Sequence, residues 1–158
     1  MSKVKHIAFV CTGNCCRSPM AEGIARRIFS AHGFEYNFSS YGILDLDNTP
    51  PSTQALKICA EHGIDISRHR SQVLTRSAAE KMDLILTMER AHIDWIRRNI
   101  GEDIAAKTYL LTEYPERSAR ADEIPDPIGM PDEFYSDVFH RIWREIERIA
   151  GTELQEND

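Results

Sequence analysis

Residues 7–19 of the chain read IAFVCTGNCCRSP, and this segment predicts a strand, a loop and a helix in direct succession. The apolar run at its start is typical of a buried strand. Serine often caps a helix N-terminus and proline is favoured at the first helical position, so Ser18 and Pro19 predict that a helix starts there. The segment therefore places a short loop, which begins with Cys11 and ends with Arg17, between a strand end and a helix start.

The loop has the composition of an anion-binding site that also carries a nucleophile. Gly13 and Asn14 are the residue types best able to take left-handed backbone angles, which turn successive N–H groups toward one centre. Those amides and the helix N-terminus favour a bound oxyanion, and the planar guanidinium of Arg17 binds two phosphate oxygens at once. The same electrostatic field favours a thiolate at Cys11. We therefore predict a nucleophilic Cys11 and a phosphate site formed by Thr12, Gly13, Asn14, Cys15, Cys16, Arg17 and Ser18.

The stretch VCTGNCCRSP, from Val10 to Pro19, resembles the phosphate-binding loop of the low-molecular-weight protein tyrosine phosphatases. The family pattern is V-C-x-G-N-x-C-R-S-P, and the chain has every fixed position of it. The resemblance implies a flavodoxin-like three-layer α/β fold, in which helices cover both faces of a four-stranded parallel sheet. It also implies a cysteine-dependent phosphatase that acts on phosphorylated protein through a phosphocysteine intermediate.

Strand and helix patterns alternate along the chain, which by itself predicts a parallel sheet covered on both sides. The predicted strands cover residues 5–10, 35–41, 82–88 and 107–111. The predicted helices cover residues 19–32, 51–62, 77–81, 89–99 and 134–150, and a frayed polar tail is expected from 153 to 158. Ligands of such sheets bind at the carboxyl ends of the strands, and Cys11 follows the first strand. Cys59 lies on the apolar face of its helix and is predicted to be a core residue.

Length and composition limit the remaining possibilities. A chain of 158 residues suits one domain, here residues 1–158, and a net charge of −6 argues against general nucleic-acid binding. No apolar run has the length of a membrane span, and the first residues lack the apolar segment of a signal peptide, so a cytoplasmic location is expected. Three of the 4 cysteines share one loop, at a spacing that fits neither a disulfide scaffold nor a zinc site, so no metal or cofactor is expected. The oligomeric state is open, with a monomer favoured.

A second chemical group is needed because the leaving group of a phosphate ester must receive a proton. Asp126 is the candidate, since two flanking prolines stiffen its loop and fix the direction of its carboxylate. An Asp-Pro pair alone is a common turn signal, but it also matches the general-acid motif of the resembled family in the expected part of the chain. We therefore predict that Cys11, Arg17 and Asp126 are the catalytic residues.

Further roles follow from the same resemblance. In the family, the loop asparagine and serine, here Asn14 and Ser18, join a network with a serine and a histidine that match Ser40 and His69. The family's second loop cysteine forms a reversible disulfide with the nucleophile, which makes Cys16 the predicted redox partner of Cys11. That chemistry suits an activated thiolate beside a second thiol.

The identity of the phosphorylated residue stays open at this stage. Cys15 occupies a position that is usually isoleucine in the tyrosine phosphatases and threonine in related bacterial protein arginine phosphatases. Ile128 follows the Asp-Pro pair where many tyrosine phosphatases carry aromatic residues, so support for a phenyl ring is reduced. Phosphotyrosine is the first prediction and phosphoarginine the alternative. An arsenate reductase, which needs two further cysteines, and a non-catalytic phosphoprotein-binding module are less favoured.

Overall fold

The computed structural model describes residues 5–156, and its centre is a parallel sheet of four strands in the order β2-β1-β3-β4. The strands are β1 (His6–Cys11), β2 (Asn37–Gly42), β3 (Leu84–Thr87) and β4 (Thr108–Leu110). The helices are α1 (Arg17–Ala31), α2 (Thr53–Glu61), α3 (Arg76–Glu80), α4 (Arg90–Asn99), α5 (Glu102–Ala105) and α6 (Asp132–Glu156). The predicted four-stranded parallel α/β fold is confirmed.

Two apolar layers cover the two faces of the sheet. Ile7 and Phe9 of β1 pack in the larger layer with residues of α1, α2 and α6. Ala8 and Val10 point to the other face and pack with residues of α3, α4 and α5. Because β1 is buried on both faces, its sequence is a continuous apolar run instead of an alternating one. Cys59 is fully buried in the larger layer, so its prediction as a core residue is confirmed.

The order of the strands creates the crevice in which a ligand can bind. From β1 the chain passes to β2 on one side and later returns to β3 on the other side. The loops that follow these strands therefore diverge at the carboxyl end of β1, where Cys11 lies. Gly42, at the end of β2, allows close approach of the Cys11 loop, since a Cβ there would lie 2.9 Å from the Thr12 carbonyl oxygen.

Three local expectations differ from the structure. Helix α1 begins at Arg17 after an N-cap at Cys16, so Ser18 is not the cap and lies in the first turn. The loop turns inward toward the end of β1, which brings the Ser18 side chain against the sulfur of Cys11. Gly13 does not take left-handed angles, whereas Asn14 does, with φ 58°. The short helix α5 carries no long apolar pattern and was not predicted from the sequence.

The prediction of a frayed polar tail from residue 153 is wrong for residues 153–156, the part of it that the structure describes. Helix α6 continues to Glu156, and Glu153 is fully buried. Its carboxylate accepts hydrogen bonds from Lys5 at 2.7 Å, Tyr36 at 2.7 Å and Tyr114 at 3.2 Å. A buried carboxylate with such partners is stable, and a sequence pattern does not reveal partners so distant in the chain. The last two residues lie outside the described part of the structure. Within residues 5–156, no helix has both the length and the apolar character needed to cross a bilayer.

Candidate active site

The Cys11 sulfur lies at the centre of a buried hydrogen-bonded loop. Its Sγ atom is 2.9 Å from the hydroxyl oxygen of Ser18 and accepts a hydrogen bond from the backbone N–H of Asn14 at 3.3 Å. The residue is 2% exposed, at the carboxyl end of β1 and next to the N-terminus of α1. A hydroxyl and a backbone amide thus both lie within hydrogen-bond distance of the sulfur.

Asn14 holds the loop in shape through both ends of its side-chain amide. Its Nδ2 atom donates to the hydroxyl oxygens of Ser18 at 2.8 Å and Ser40 at 3.1 Å. Its Oδ1 atom accepts from the backbone N–H of Gln72 at 2.9 Å, and its carbonyl oxygen lies 2.7 Å from Nε2 of His69. The structure thus brings Asn14, Ser18, Ser40 and His69 together, as anticipated. Gln72 was missed because it takes part through its backbone.

Arg17 connects the loop to two other segments of the chain. Its guanidinium is almost fully buried and donates to a carboxylate oxygen of Glu89 at 2.6 Å and to the carbonyl oxygen of Ile124 at 2.8 Å. It also donates to the Thr12 hydroxyl at 3.2 Å and lies 3.7 Å from a carboxylate oxygen of Asp126. The guanidinium therefore borders both the nucleophile loop and the carboxylate that was predicted to be the acid.

Glu89 and His92 complete this side of the site, and neither was predicted to be a site residue. The backbone N–H of Glu89 donates to Nδ1 of His92 at 3.1 Å, so the ring proton is on Nε2. Nε2 then donates to the Thr12 hydroxyl oxygen at 3.0 Å. Burial, together with the positive charge of Arg17, lowers the pKa of His92 to about 4, so the ring is neutral near neutral pH. The capping pair at the start of α4 was the available sequence signal.

Asp126 occupies the other rim of the crevice. Its side chain is 43% exposed, and one carboxylate oxygen accepts the backbone N–H of Ile128 at 3.1 Å. Its second carboxylate oxygen faces Arg17. Pro127 is buried whereas Pro125 is exposed, so the chain is fixed on one side of the carboxylate. The carboxylate is therefore in contact with solvent.

The other two loop cysteines have separate surroundings. The Cys16 thiol donates to the Ser52 hydroxyl at 3.4 Å and lies 3.4 Å from the Tyr135 hydroxyl, which itself donates to Ser52. The Cys15 thiol donates to the carbonyl oxygen of Gly13 at 3.3 Å. Burial raises the pKa of both thiols, so they stay protonated near neutral pH. All three loop cysteines are free and buried.

An apolar rim surrounds the site. Among the described residues, the large hydrophobic side chains that are exposed all belong to the two loops beside the Cys11 loop. They are Leu44, Leu46, Ile128 and Met130. Leu46 leans over the phosphate loop, since a Cβ on Gly13 would lie 2.9 Å from its Cδ1 atom. A polar, anion-binding floor with an apolar rim suits a phosphate that is attached to an apolar group.

Comparison with known proteins agrees with this arrangement. The curated low molecular weight protein-tyrosine-phosphatase Etp of Escherichia coli K12 is 32% identical over 148 residues, which are 94% of this chain and 91% of the relative. The crystal structure of a low molecular weight protein tyrosine phosphatase from T. tengcongensis superposes with a TM-score of 0.86 at 32% identity, covering 94% and 99% of the two chains. The YwlE arginine phosphatase from Geobacillus stearothermophilus has a TM-score of 0.86 at 29% identity, covering 96% and 94%. The family described as low molecular weight phosphotyrosine protein phosphatase matches residues 6–158, and the chain belongs to that family.

Proposed function

We propose that this protein hydrolyses phosphotyrosine in phosphorylated proteins, with Cys11 as nucleophile, Arg17 as phosphate ligand and Asp126 as general acid. One observation carries the proposal. The buried Arg17 guanidinium contacts Thr12, next to the nucleophile, and lies 3.7 Å from the Asp126 carboxylate. A phosphate bound by Arg17 meets the Cys11 thiolate on one side and the Asp126 proton donor on the other, as substitution at phosphorus requires.

The first step forms a phosphocysteine. The Cys11 thiolate attacks phosphorus, and the bond from phosphorus to the tyrosine oxygen breaks as Asp126 transfers its proton to that oxygen. Arg17 and the N–H groups of the loop bind the non-bridging oxygens and stabilise the charge of the transition state. The guanidinium and the backbone donors supply this stabilisation without a metal ion.

The second step returns the enzyme to its starting form. The Asp126 carboxylate accepts a proton from a water molecule, whose oxygen attacks phosphorus while the bond from phosphorus to sulfur breaks. Inorganic phosphate leaves, and Cys11 becomes a thiolate again. The Ser18 hydroxyl and the Asn14 N–H, both within hydrogen-bond distance of the sulfur, stabilise that leaving thiolate.

The apolar rim supports an aromatic phosphoester as the substrate, since Leu44 and Ile128 are exposed apolar side chains on the two loops beside the Cys11 loop. The names of the curated relatives, which are protein-tyrosine-phosphatases, point to phosphotyrosine as well. A direct test compares two synthetic peptides that differ only in carrying phosphotyrosine or phosphoarginine. We expect kcat/KM to be at least about 10-fold higher for the phosphotyrosine peptide. The reverse preference would contradict the proposed substrate.

The variant Cys11→Ser tests the nucleophile with the same peptides. Loss of the thiolate is expected to reduce turnover by on the order of 10⁵-fold, because the residues of a nucleophilic site act as a unit. Cys59→Ser is the matched control, since Cys59 is a buried cysteine on α2 in the core. Full activity in Cys11→Ser would overturn the mechanism.

Cys16 is proposed to protect the nucleophile from irreversible oxidation. Peroxide converts the Cys11 thiolate to a sulfenic acid, and the Cys16 thiol then displaces water to form a disulfide. A thiol reductant restores both thiols. We expect peroxide-treated protein to recover activity with dithiothreitol, and Cys16→Ser to recover much less. Equal recovery in both proteins would exclude Cys16 from this role.

The remaining expectations are part of the same proposal. Residues 1–158 form one catalytic domain, which acts as a monomer in the cytoplasm on phosphorylated protein and does not bind nucleic acid. The net charge of −6 supports the last point. Sedimentation at micromolar concentration tests the oligomeric state, and a dimer would contradict it.

A further inference from the structure

Arg90 is attached at two places to the segment that leads to Asp126. Its guanidinium donates to the carbonyl oxygens of Ser118 at 2.8 Å and Ala121 at 3.1 Å. Its backbone N–H, at the start of α4, donates to a carboxylate oxygen of Glu123 at 2.7 Å. These contacts lie three to eight residues before Asp126 and use nothing from the phosphate site itself.

The guanidinium joins the turn at residues 118–121 to α4. The backbone N–H of Ala121 donates to the Ser118 carbonyl at 3.2 Å, and the hydroxyl of Ser118 accepts from the N–H of Arg120 at 3.3 Å. Because Ala119 and Arg120 are exposed, packing contributes little to holding this turn. The Ser118 N–H also donates to a carboxylate oxygen of Glu113 at 3.0 Å, and the Asp122 carbonyl accepts from the Thr112 hydroxyl. The two carbonyl oxygens that accept from Arg90 are therefore among several links between the turn and the rest of the protein, and they are the ones that join it to α4.

The next attachment of the segment lies only two residues before Asp126. The backbone N–H of Ile124 donates to the carbonyl oxygen of Met88 at 2.9 Å, and the Ile124 carbonyl accepts from Arg17 at 2.8 Å. Met88 and Arg90 both belong to the junction between β3 and α4. This junction thus holds the segment at several points up to Ile124, and Asp126 follows two residues later.

We propose that Arg90 is a positioning residue for the general acid, and that it fixes the segment 118–124 so that the Asp126 carboxylate faces the leaving-group oxygen. The proposal rests on the proposed function of Asp126. Proton transfer requires the two heavy atoms to be about 2.6–3.2 Å apart, and a displacement of about 1 Å greatly reduces the rate. Loss of the guanidinium removes two of the hydrogen bonds that hold residues 118–124, and we expect the Asp126 carboxylate to shift relative to the leaving-group oxygen as a result.

This role has a kinetic signature that a general loss of structure lacks. An aryl phosphate with a weakly basic leaving group, such as p-nitrophenyl phosphate, departs with little help from an acid. A phosphotyrosine peptide or phenyl phosphate has a strongly basic leaving group and depends on protonation. We expect Arg90→Ala to lower kcat/KM for phenyl phosphate by about 10-fold, and to change it for p-nitrophenyl phosphate by less than about 2-fold. Inhibition by inorganic phosphate, which reports the Arg17 site, is expected to stay unchanged.

Asp126→Asn is the reference variant and Arg97→Ala is the matched control. Arg97 lies on the same helix, where its exposed side chain pairs with Asp94 and Glu102. Asp126→Asn is expected to make kcat/KM fall more steeply with leaving-group basicity than Arg90→Ala does. If Asp126→Asn leaves that dependence unchanged, the proposed function of the acid fails.

Two outcomes would overturn the proposal for Arg90 while leaving the proposed role of Asp126 intact. In the first, Asp126→Asn steepens the dependence while Arg90→Ala behaves like Arg97→Ala. In the second, Arg90→Ala lowers the rates for both substrates by the same factor. Arg90→Lys provides the second variant if the alanine protein does not fold. One ammonium group can reach one of the two carbonyls, so the lysine protein is expected to lie between wild type and alanine. A lysine variant with equal losses on both substrates would also overturn it.

Discussion

The loop that carries Cys11 and the loop that carries Asp126 face each other across the crevice but are held in different ways. In the Cys11 loop, Asn14 and Ser18 are fully buried and their side chains are hydrogen-bonded on several sides. In the acid loop, Asp126 is 43% exposed and Ile128 is 57% exposed. The Cys11 loop is thus held by buried hydrogen bonds, whereas the Asp126 carboxylate, the proposed proton donor, is in contact with water.

The difference follows from what each loop must do. A fixed anion site lowers the transition-state energy only if its donors need no rearrangement during the reaction. A buried polar network supplies that rigidity, but each unsatisfied member of it is costly. In the proposed mechanism Asp126 gives its proton to the leaving group and then takes one from the attacking water, so full burial would hinder it. We therefore expect substitutions in the Cys11 loop to affect stability and activity together, and substitution of the Asp126 side chain to affect activity much more than stability.

Asn14→Ala is expected to give the largest stability effect. It removes three side-chain hydrogen bonds, to Ser18, Ser40 and the N–H of Gln72, and it places alanine at φ 58°. The buried partners stay unsatisfied, so the free energy of unfolding should fall by about 3 kcal/mol or more. Asp126→Asn, measured by the same urea titration, should change it by less than about 0.5 kcal/mol. Similar losses in the two variants would remove the distinction between the loops.

Acidification tests the burial of His92, on the fixed side of the crevice. Its pKa is lowered from 6.5 to about 4 by burial and by Arg17, while Glu89, Glu123 and Asp126 are the acidic groups nearby. Between these pH values the unfolded chain binds a proton that the folded protein does not bind. The free energy of unfolding should therefore fall as the pH falls from 6.5 to 4, by at most roughly 3 kcal/mol.

The variant His92→Gln lacks this titration, and the exposed His140→Gln serves as its control. Urea unfolding at several pH values should show wild type and His140→Gln losing stability together toward low pH. The stability difference between wild type and His92→Gln should narrow over the same range. A difference that stays constant between pH 4 and pH 6.5 would contradict a neutral buried ring.

Two glycines give the smallest expected effects and compare the loops directly. A Cβ at Gly42 would lie 2.9 Å from the Thr12 carbonyl oxygen and 3.1 Å from the Asn14 backbone nitrogen, so neither neighbour can move without disturbing the anion site. Gly42→Ala should lower stability by about 2 kcal/mol and also reduce kcat. Gly129 has φ +78° with open space around it, so Gly129→Ala should cost about 1 kcal/mol at most. Thermal unfolding of both variants measures the two stability changes. In phosphatase assays with p-nitrophenyl phosphate and phenyl phosphate, only Gly42→Ala is expected to lose activity.

The parts of the site that could be predicted are those encoded by neighbours in sequence. Cys11, Arg17 and the strand before them lie within one short segment, and the parallel sheet directs their loop to one edge. Asp126 needed the family resemblance, because an Asp-Pro pair alone indicates only a turn. The structure then brings all three to the same crevice.

The parts that could not be predicted depend on contacts between distant residues. Glu89 and His92 appeared to be an ordinary helix start, and only the tertiary structure places them against Arg17 and Thr12. Ser18 was expected to cap a helix, but the inward turn of the loop directs it to the sulfur. A polar residue near the chain end, such as Glu153, gives no local sign that it will be enclosed.

The ion pair between Lys5 and Glu153 has a practical consequence for protein engineering. It joins the start of β1 to the last turns of α6, at the end of the sheet opposite Cys11. A short linker could therefore connect these two segments in a circular permutant, with new termini opened in an exposed surface turn. Affinity tags or fluorescent fusions placed beyond either segment would likewise project away from the catalytic crevice and leave it open to large phosphoprotein substrates.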